Sequence, residues 1–319
     1  MNVTNAAGGV PPYLWQPETE AEAWDMFTNL GSGAVFAAGA TLLRTQWESG
    51  TVPMPAHLIS LEGISSMQGL TRREGSLRIG SQAKLSDCRR QGACNLLAEA
   101  CRTIAAPSIR QLATLGGNIA SGIGDALPAL LVKDALLYSY GAGGSECGEL
   151  AAWLEARALG RTEPRLLTAV GLMPGNGRAD ESGTGGRTVE FYRKVGRREA
   201  FVPSLATAAF SALLAADGTL SRVRVAAGGG SSIAMRLRGA EALLEGGRAD
   251  GETLRKFHAA VQAEWPAFTD AFASAAYRKL AAANLLSAGL WDLQRELGAA
   301  EREGCTDPGP ERRTEHEAG

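Results

Sequence analysis

Histidine is the scarcest chemically versatile residue here: only His57, His258 and His316 occur among 319 residues. None lies in an H-E-x-x-H helix and no pair has zinc spacing, which disfavours a hydrolytic metal centre. Cysteine is little commoner. Cys88, Cys94, Cys101, Cys147 and Cys305 form no C-x-x-C pair and no ferredoxin-like run, so reduced structural thiols are expected rather than an iron–sulfur cluster or a disulfide set. Charge of one sign is also missing. The formal net charge is −2 and no basic stripe with interleaved aromatics appears, so nucleic acid is not an expected partner. Apolar runs such as 126–132 are far too short to span a bilayer, and the first fifteen residues have neither a basic nor an apolar leader region. A cytoplasmic protein with no membrane contact is expected. There is no G-x-S-x-G elbow and no P-loop, which weakens serine-hydrolase and P-loop readings, and no separate Rossmann glycine fingerprint is present.

Glycine, by contrast, is abundant, with 40 residues. Its densest setting is 113–125, ATLGGNIASGIGD, where Gly116 and Gly117 remove two adjacent Cβ atoms and Thr114 and Asn118 flank them with polar side chains. Such a segment suits a nest of N–H donors around phosphate oxygens, and it equally suits a glycine turn between a helix and a strand. A second small-residue loop, Ala38-Gly39-Ala40-Thr41, follows a short apolar strand at 34–37. Close backbone approach to a ligand or a tight turn before 42–47 would each account for it. Asp125 stands at the start of an apolar helix over 126–133, where an N-cap role is expected.

The remaining pattern gives an α+β chain in two parts. Thr19 and Glu22 stand at capping-box spacing ahead of a helix over 18–30. Strands are expected at 57–61 and 77–80, separated by a turn at 71–76. A helix from Asn95 carries Cys101 on its buried face, and Pro107 stops it. A strand at 135–140, a turn at 141–144, a helix at 150–158 and a strand at 165–172 follow. The polar, glycine-rich segment 174–187 marks a domain boundary. Beyond it come strands at 188–195, 205–214 and 220–227, the last two joined by the hairpin signal Ala216-Asp217-Gly218-Thr219, with the Ala-rich strand buried. Helices are expected at 239–244, 250–265 and 274–297. The last carries Tyr277, Leu280, Ala281, Asn284, Leu285 and Ala288 on one side and a solvated Arg278 and Lys279. A charged tail from 299 onward reads as disordered.

Several stretches together are specific. Ile104-Ala105-Ala106-Pro107-Ser108-Ile109-Arg110, then Ala113-Thr114-Leu115-Gly116-Gly117-Asn118, then Asp125 and Pro128-Ala129-Leu130-Leu131 resemble the motif IASPQIRNxATIGGN, a short gap, and D-x-x-P-x-L-L. That motif belongs to the FAD-binding (medium) subunits of the molybdenum hydroxylases, the xanthine dehydrogenase and carbon monoxide dehydrogenase family. Ala38-Gly39-Ala40-Thr41 is similar to the family's first flavin loop, AGGTDL. Tyr192-Arg193-Lys194 with Arg197-Arg198, the run Val225-Ala226-Ala227-Gly228-Gly229 with Arg236 and Glu241, and Tyr277-Arg278-Lys279-Leu280 resemble elements of its C-terminal half. The resemblance covers roughly 13–295.

The resemblance implies a two-subdomain PCMH-type FAD-binding domain over 13–173, divided near 62, and a linking loop at 174–187. It also implies a smaller α+β domain at 188–297, with an antiparallel sheet plus helices, and a tail at 298–319. FAD would lie extended between the subdomains, its pyrophosphate cradled by Ala38, Gly39, Ala40 and Thr41 and by Thr114, Gly116, Gly117 and Asn118, with Ala37, Leu42 and Ala113 as further cofactor contacts. Ile104 and Leu172 would line the flavin, Asp125 would contact the ribose or adenylate side, and Lys194 or Arg193 would approach the isoalloxazine edge. No catalytic residue and no metal ligand is implied. The implied partners are a molybdopterin-binding large subunit and an iron–sulfur small subunit, with NAD or another electron acceptor. Ala40 replaces the family's second glycine and is tolerated if its φ is negative, while Leu42 removes an aspartate. A stand-alone flavin oxidase and a flavin-free scaffold subunit are the alternatives. An oxidase would often carry a covalent histidine or cysteine near the first loop, and 38–43 contains neither.

Overall fold

The computed structural model describes residues 11–90, 94–173, 186–198 and 203–303. Three sheets organise them, and each owes its pattern to a different way of burying apolar residues.

The first sheet is short and parallel. Strands β1 (Tyr13–Trp15), β2 (Ala34–Ala37) and β3 (His57–Ser60) take the order β1-β3-β2. Helix α1 (Glu20–Leu30) connects β1 to β2, and Thr19 Oγ1 caps it by accepting the Glu22 N–H at 3.1 Å. The Glu22 carboxylate reaches back to the Glu18 N–H at 2.8 Å, one residue before the cap itself. Ala23, Trp24, Ile59, Leu61, Ile64 and Met67 form the core of this lobe. Helix α2 (Thr41–Glu48) leaves the end of β2.

The second sheet is antiparallel, with order β4-β5-β8-β6-β7. Its strands are β4 (Leu70–Arg73), β5 (Ser76–Gly80), β6 (Leu136–Gly141), β7 (Gly144–Glu149) and β8 (Leu166–Leu172). Helices α3 (Leu85–Arg90), α4 (Asn95–Thr103), α5 (Pro107–Arg110), α6 (Leu115–Ala120), α7 (Leu127–Leu131) and α8 (Leu150–Ala158) complete this lobe. The expected turn at 71–76 is tighter than the sequence implied. Leu70–Arg73 is itself a strand, reversed at Glu74 and Gly75, both with positive φ. Strand β7 was not expected either, because its exposed GSECGE sequence has no apolar alternation to betray it. Pro107 starts α5 instead of stopping α4, which ends at Thr103; at N1 the missing proline N–H costs nothing.

The third sheet is antiparallel, order β12-β11-β10-β9, built from β9 (Arg187–Gly196), β10 (Ser204–Leu214), β11 (Leu220–Gly229) and β12 (Ser232–Arg236). The Ala-rich β10 is buried along nearly its whole length, as its lack of alternation requires. Strand β12 went unread in the sequence. Helices α9 (Arg238–Leu244), α10 (Gly251–Glu264) and α11 (Ala275–Glu303) cover the sheet. Burial along α11 falls on a different stripe from the one that carries Tyr277 and Leu280, and one expectation fails. Tyr277 and Leu280 are exposed, whereas Ala282, Ala283, Leu286 and Leu290 are buried. Arg278 is fully buried rather than solvated: Nη1 donates to the Leu205 carbonyl at 2.5 Å and Nη2 lies 2.6 Å from Asp270 Oδ1. The helix also runs six residues past the expected end, to Glu303; 304–319, with Cys305 and His316, lie outside the described residues, as does 174–185.

The second and third sheets share one apolar core. Tyr192, Ala209, Ala226 and Ala234 of the third pack with Leu97, Leu127, Leu130 and Leu154 of the second. Ion pairs ring the join: Lys133 to Glu190 at 2.8 Å, Asp134 to Arg224 at 2.9 Å and Asp134 to Arg236 at 2.5 Å.

Candidate cofactor site

The two small-residue loops meet. Gly39 packs so closely on the backbone of Leu112 that a Cβ there would overlap the Leu112 carbonyl group and stand 3.0 Å from Ala113 Cα. Glycine at 39 is therefore required by the contact between the loops, whatever else binds there.

The loops differ in what they offer. In the first, the N–H groups of Gly39, Ala40, Thr41, Leu42 and Leu43 have no hydrogen-bond partner among the described residues, and no side chain caps α2. Helix N-termini with free N–H groups favour anions. Ala40 has φ 49° and ψ 11°, in the left-handed region; the negative φ that would make alanine comfortable there is not what the loop adopts. Leu42 is exposed, and Ala37 and Ala38 carry the chain out of the sheet, with the Ala37 carbonyl accepting from Leu61.

The second segment is helical where a glycine loop was expected. Thr114 caps α6 by accepting the Gly117 N–H at 3.0 Å. The Leu115 and Gly116 N–H groups go to the Ala83 and Ser81 carbonyls, at 2.9 and 2.8 Å, and the Asn118 N–H goes to the Thr114 carbonyl. The donors of Leu115, Gly116, Gly117 and Asn118 are thus committed within the protein, whereas the run of N–H groups from Gly39 to Leu43 has no partner among the described residues. The two glycines also separate in role. A Cβ on Gly116 would stand 2.5 Å from Ser81 Cβ and 2.6 Å from its carbonyl oxygen, whereas one on Gly117 would meet only Thr114 Oγ1, at 3.1 Å. Gly117 alone leaves space. Asn118 Oδ1 accepts the Ala126 N–H at 3.2 Å and so supports the turn into α7.

Asp125 does not cap α7; that position is Ala126, with no side-chain bond. Its carboxylate is held instead by residues far along the chain. Lys194 Nζ lies 2.8 Å from Oδ2, Ser204 Oγ donates to Oδ1 at 2.5 Å, and Tyr192 Oη donates to the Asp125 carbonyl at 3.0 Å. Burial, with the nearby Asp125 charge, holds the Tyr192 phenol well above its ordinary value, so it is a proton donor throughout the physiological range. Lys194 also donates to the Thr103 carbonyl at 2.8 Å. Arg193 and Lys194 point to opposite sides of β9, as strand alternation requires. Lys194 turns toward Asp125 and Thr103, while Arg193 turns toward α11 and pairs with Asp292 at 2.5 Å.

Ile104 and Leu172 are both buried in the core of the second lobe. The turn holding Ile104 is fixed by Arg110, whose Nη1 donates to the carbonyls of Arg102, Ile104 and Ala105 at 3.3, 2.8 and 2.5 Å. Burial and the neighbouring Arg89 lower the Arg110 pKa without discharging it. The neighbouring Cys88 thiol and burial raise the Cys101 thiol well above its ordinary range. Among the described residues no cluster of histidine, cysteine and carboxylates could hold a metal ion, and no helix is long and apolar enough to cross a membrane.

Sequence reasoning missed Ser81 and Gln82, which lie beside α6. Ser81 Oγ and both polar atoms of the Gln82 amide are buried without a hydrogen-bond partner among the described residues. A weak signal was available: Gly80, which ends β5, and Ser81 put two short residues at a strand end, as Ala38 and Gly39 follow β2. Unpartnered buried polar atoms, unpaired amides in the first loop and the opening over Gly117 all suit a large ligand bearing anionic and hydrogen-bonding groups.

A parallel lobe meeting an antiparallel lobe at two small-residue loops, one with free amides, defines a nucleotide-cofactor-binding protein with an additional α+β domain. Residues 7–172 match the FAD binding domain in molybdopterin dehydrogenase, more than half the chain, and the protein belongs to that family. Its cofactor is FAD. Residues 190–292 match the CO dehydrogenase flavoprotein C-terminal domain. The chain is 32% identical over 121 residues to the carbon monoxide dehydrogenase medium chain of Hydrogenophaga pseudoflava, covering 36% of this chain and 42% of that one. It is 36% identical over 88 residues to the xanthine dehydrogenase FAD-binding subunit of Escherichia coli O157:H7, covering 25% of this chain and 30% of that one. The matched segments thus span less than half of either relative. Among solved structures, carbon monoxide dehydrogenase from Hydrogenophaga pseudoflava superposes with a TM-score of 0.77 at 22% identity, covering 89% of this chain and 98% of that chain. Quinoline 2-oxidoreductase from Pseudomonas putida 86 gives 0.74 at 16%, covering 91% and 98%. At these identities the superpositions establish the α+β fold.

Proposed function

We propose that this chain is the FAD-binding electron-transfer subunit of a multi-subunit molybdenum hydroxylase of the xanthine dehydrogenase type. Electrons would reach it from iron–sulfur clusters on a small subunit, after substrate oxidation on a molybdopterin-binding large subunit, and leave to NAD or another acceptor. Its divisions are the FAD-binding domain at 13–173, the link at 174–187 and the C-terminal domain at 188–297.

The observation that carries this reading is the meeting of the two loops at Gly39 and Leu112 beside five N–H groups without partners. Those amides, at Gly39 to Leu43, are assigned to the pyrophosphate, with Ala37 and Ala38 leading the chain into position. Gly117 provides close approach, while Ala113, Thr114, Gly116 and Asn118 shape the wall. Ile104 and Leu172 back the flavin from the core, and the Asp125–Lys194 pair supplies polar contact. When bound, FAD supplies the capacity to take up two electrons and release them to an acceptor. The protein's part is position, water exclusion and field.

The test is direct. Purified chain should carry visible flavin absorbance and release intact FAD on acid treatment; colourless chain that fails to take up FAD on reconstitution would overturn the reading. Co-purification from the native source, followed by mass spectrometry of the intact complex, should recover the two larger and smaller partners.

A further inference from the structure

Ser204 has no role in the cofactor reading, yet it makes a closer contact with Asp125 than Lys194 does. Its hydroxyl donates to Asp125 Oδ1 at 2.5 Å and accepts the Gly230 N–H at 3.3 Å. Both groups are fixed. Ser204 is 3% exposed and begins β10, and a Cβ on Gly229 would stand 3.0 Å from its Oγ. The other carboxylate oxygen holds Lys194, whose ammonium also bonds the carbonyl of Thr103, the neighbour of Ile104. Asn118 Oδ1 in turn binds the Ala126 N–H, next to Asp125. One ion pair therefore joins the segments holding Ile104 and Asn118, and Ser204 fixes its orientation from the C-terminal domain.

We propose that Ser204 is a positioning residue that orients the Asp125–Lys194 pair and thereby raises the reduction potential of the bound flavin. The inference rests on the cofactor reading above. Its physical basis is charge compensation. An O–H donor on Oδ1 offsets part of the Asp125 negative charge and keeps that carboxylate from closing both oxygens around the ammonium, leaving more of the Lys194 field uncancelled. Reduction adds two electrons and at least one proton to the isoalloxazine, so a site with less uncompensated negative charge favours the reduced form. Ser204 touches neither substrate nor the reacting atoms in this scheme; it acts through Asp125.

The experiment compares wild-type chain with Ser204→Ala and Ser204→Thr, each loaded with FAD and titrated with dithionite against a redox dye. Dithionite supplies the electrons and is oxidised to sulfite, and water supplies the protons. In Ser204→Ala the preference for reduced over oxidised FAD should fall about tenfold, read as a midpoint potential about 30 mV lower for this two-electron couple. FAD should also dissociate faster, with the thermal midpoint little changed. Ser204→Thr, which keeps the hydroxyl, should restore the wild-type potential. Ser204→Cys, a weaker donor of similar size, should shift in the same direction as alanine and replaces it if alanine does not fold. An alanine or cysteine variant with wild-type potential and dissociation rate would overturn the positioning role while leaving the cofactor reading intact, and equal shifts in the alanine and threonine variants would do the same. Wild-type chain that binds no FAD would overturn both.

Discussion

Gly39 and Leu112 meet through backbone atoms alone, with no room for a Cβ between the first loop and the residue before Ala113. The junction between the parallel and antiparallel lobes is thus set at the place where the cofactor is assigned. Gly39→Ala should push the loops apart, costing on the order of 1–3 kcal/mol as overpacking does, and should strip FAD. Urea unfolding and FAD retention on dialysis read the two effects.

Ala40 sits in the left-handed region at φ 49°. A left-handed alanine costs about 1–2 kcal/mol, against roughly 0.5–1 kcal/mol of added chain entropy for glycine. Ala40→Gly should therefore stabilise the chain by about 0.5–1 kcal/mol, seen as a higher urea midpoint at unchanged slope, with FAD affinity maintained or improved.

Adjacent glycines in α6 should respond in opposite directions. Gly116→Ala drives a methyl to within 2.6 Å of the Ser81 carbonyl and should destabilise the chain. Gly117→Ala meets only Thr114 Oγ1 and should gain up to about 1 kcal/mol in helix propensity while weakening FAD binding, because it fills the space assigned to the ligand. Thermal melts with and without FAD separate the two; full FAD occupancy in the Gly117 variant would refute that assignment.

Asp270 controls acid stability at the start of α11. Burial favours its neutral form, but the N–H groups of Phe272 and Ala273 and the Arg278 guanidinium outweigh it and hold the carboxyl below its ordinary value. A depressed folded-state pKa contributes stability above the unfolded value of about 4, and that contribution is lost as pH falls through the folded value. Asp270→Asn should flatten the loss of stability below about pH 4. Arg278→Met, which leaves the Leu205 carbonyl and Asp270 without their partner, should cost about 3 kcal/mol at neutral pH in denaturant unfolding.

Much of the fold was legible locally. Thr19 caps α1 where expected, because a capping hydroxyl acts within three residues of itself. The buried character of β10 followed from its alanines. Exposed β7 was invisible, since a polar hairpin strand forms through its partner rather than its own pattern. Arg278 was misread for a related reason: helix periodicity places a residue on a face, but here the missing Cβ of Gly230 makes room for the guanidinium and the Asp270 carboxylate pairs with it.

The sequence by itself determined the family and the cofactor and singled out the two segments to which the site is assigned, because small residues after strands and the A-T-L-G-G-N run are local signals. Only the tertiary structure decided who owns each hydrogen bond. Asp125 meets Lys194 69 residues away and Ser204 79 residues away, while Gly116 spends its N–H on Ser81. A backbone amide serves whichever acceptor packing brings nearest, and packing is a property of the whole chain. The glycine segment therefore became a capped helix that spends the N–H groups of Leu115 to Asn118, while those of Gly39 to Leu43 have no partner among the described residues.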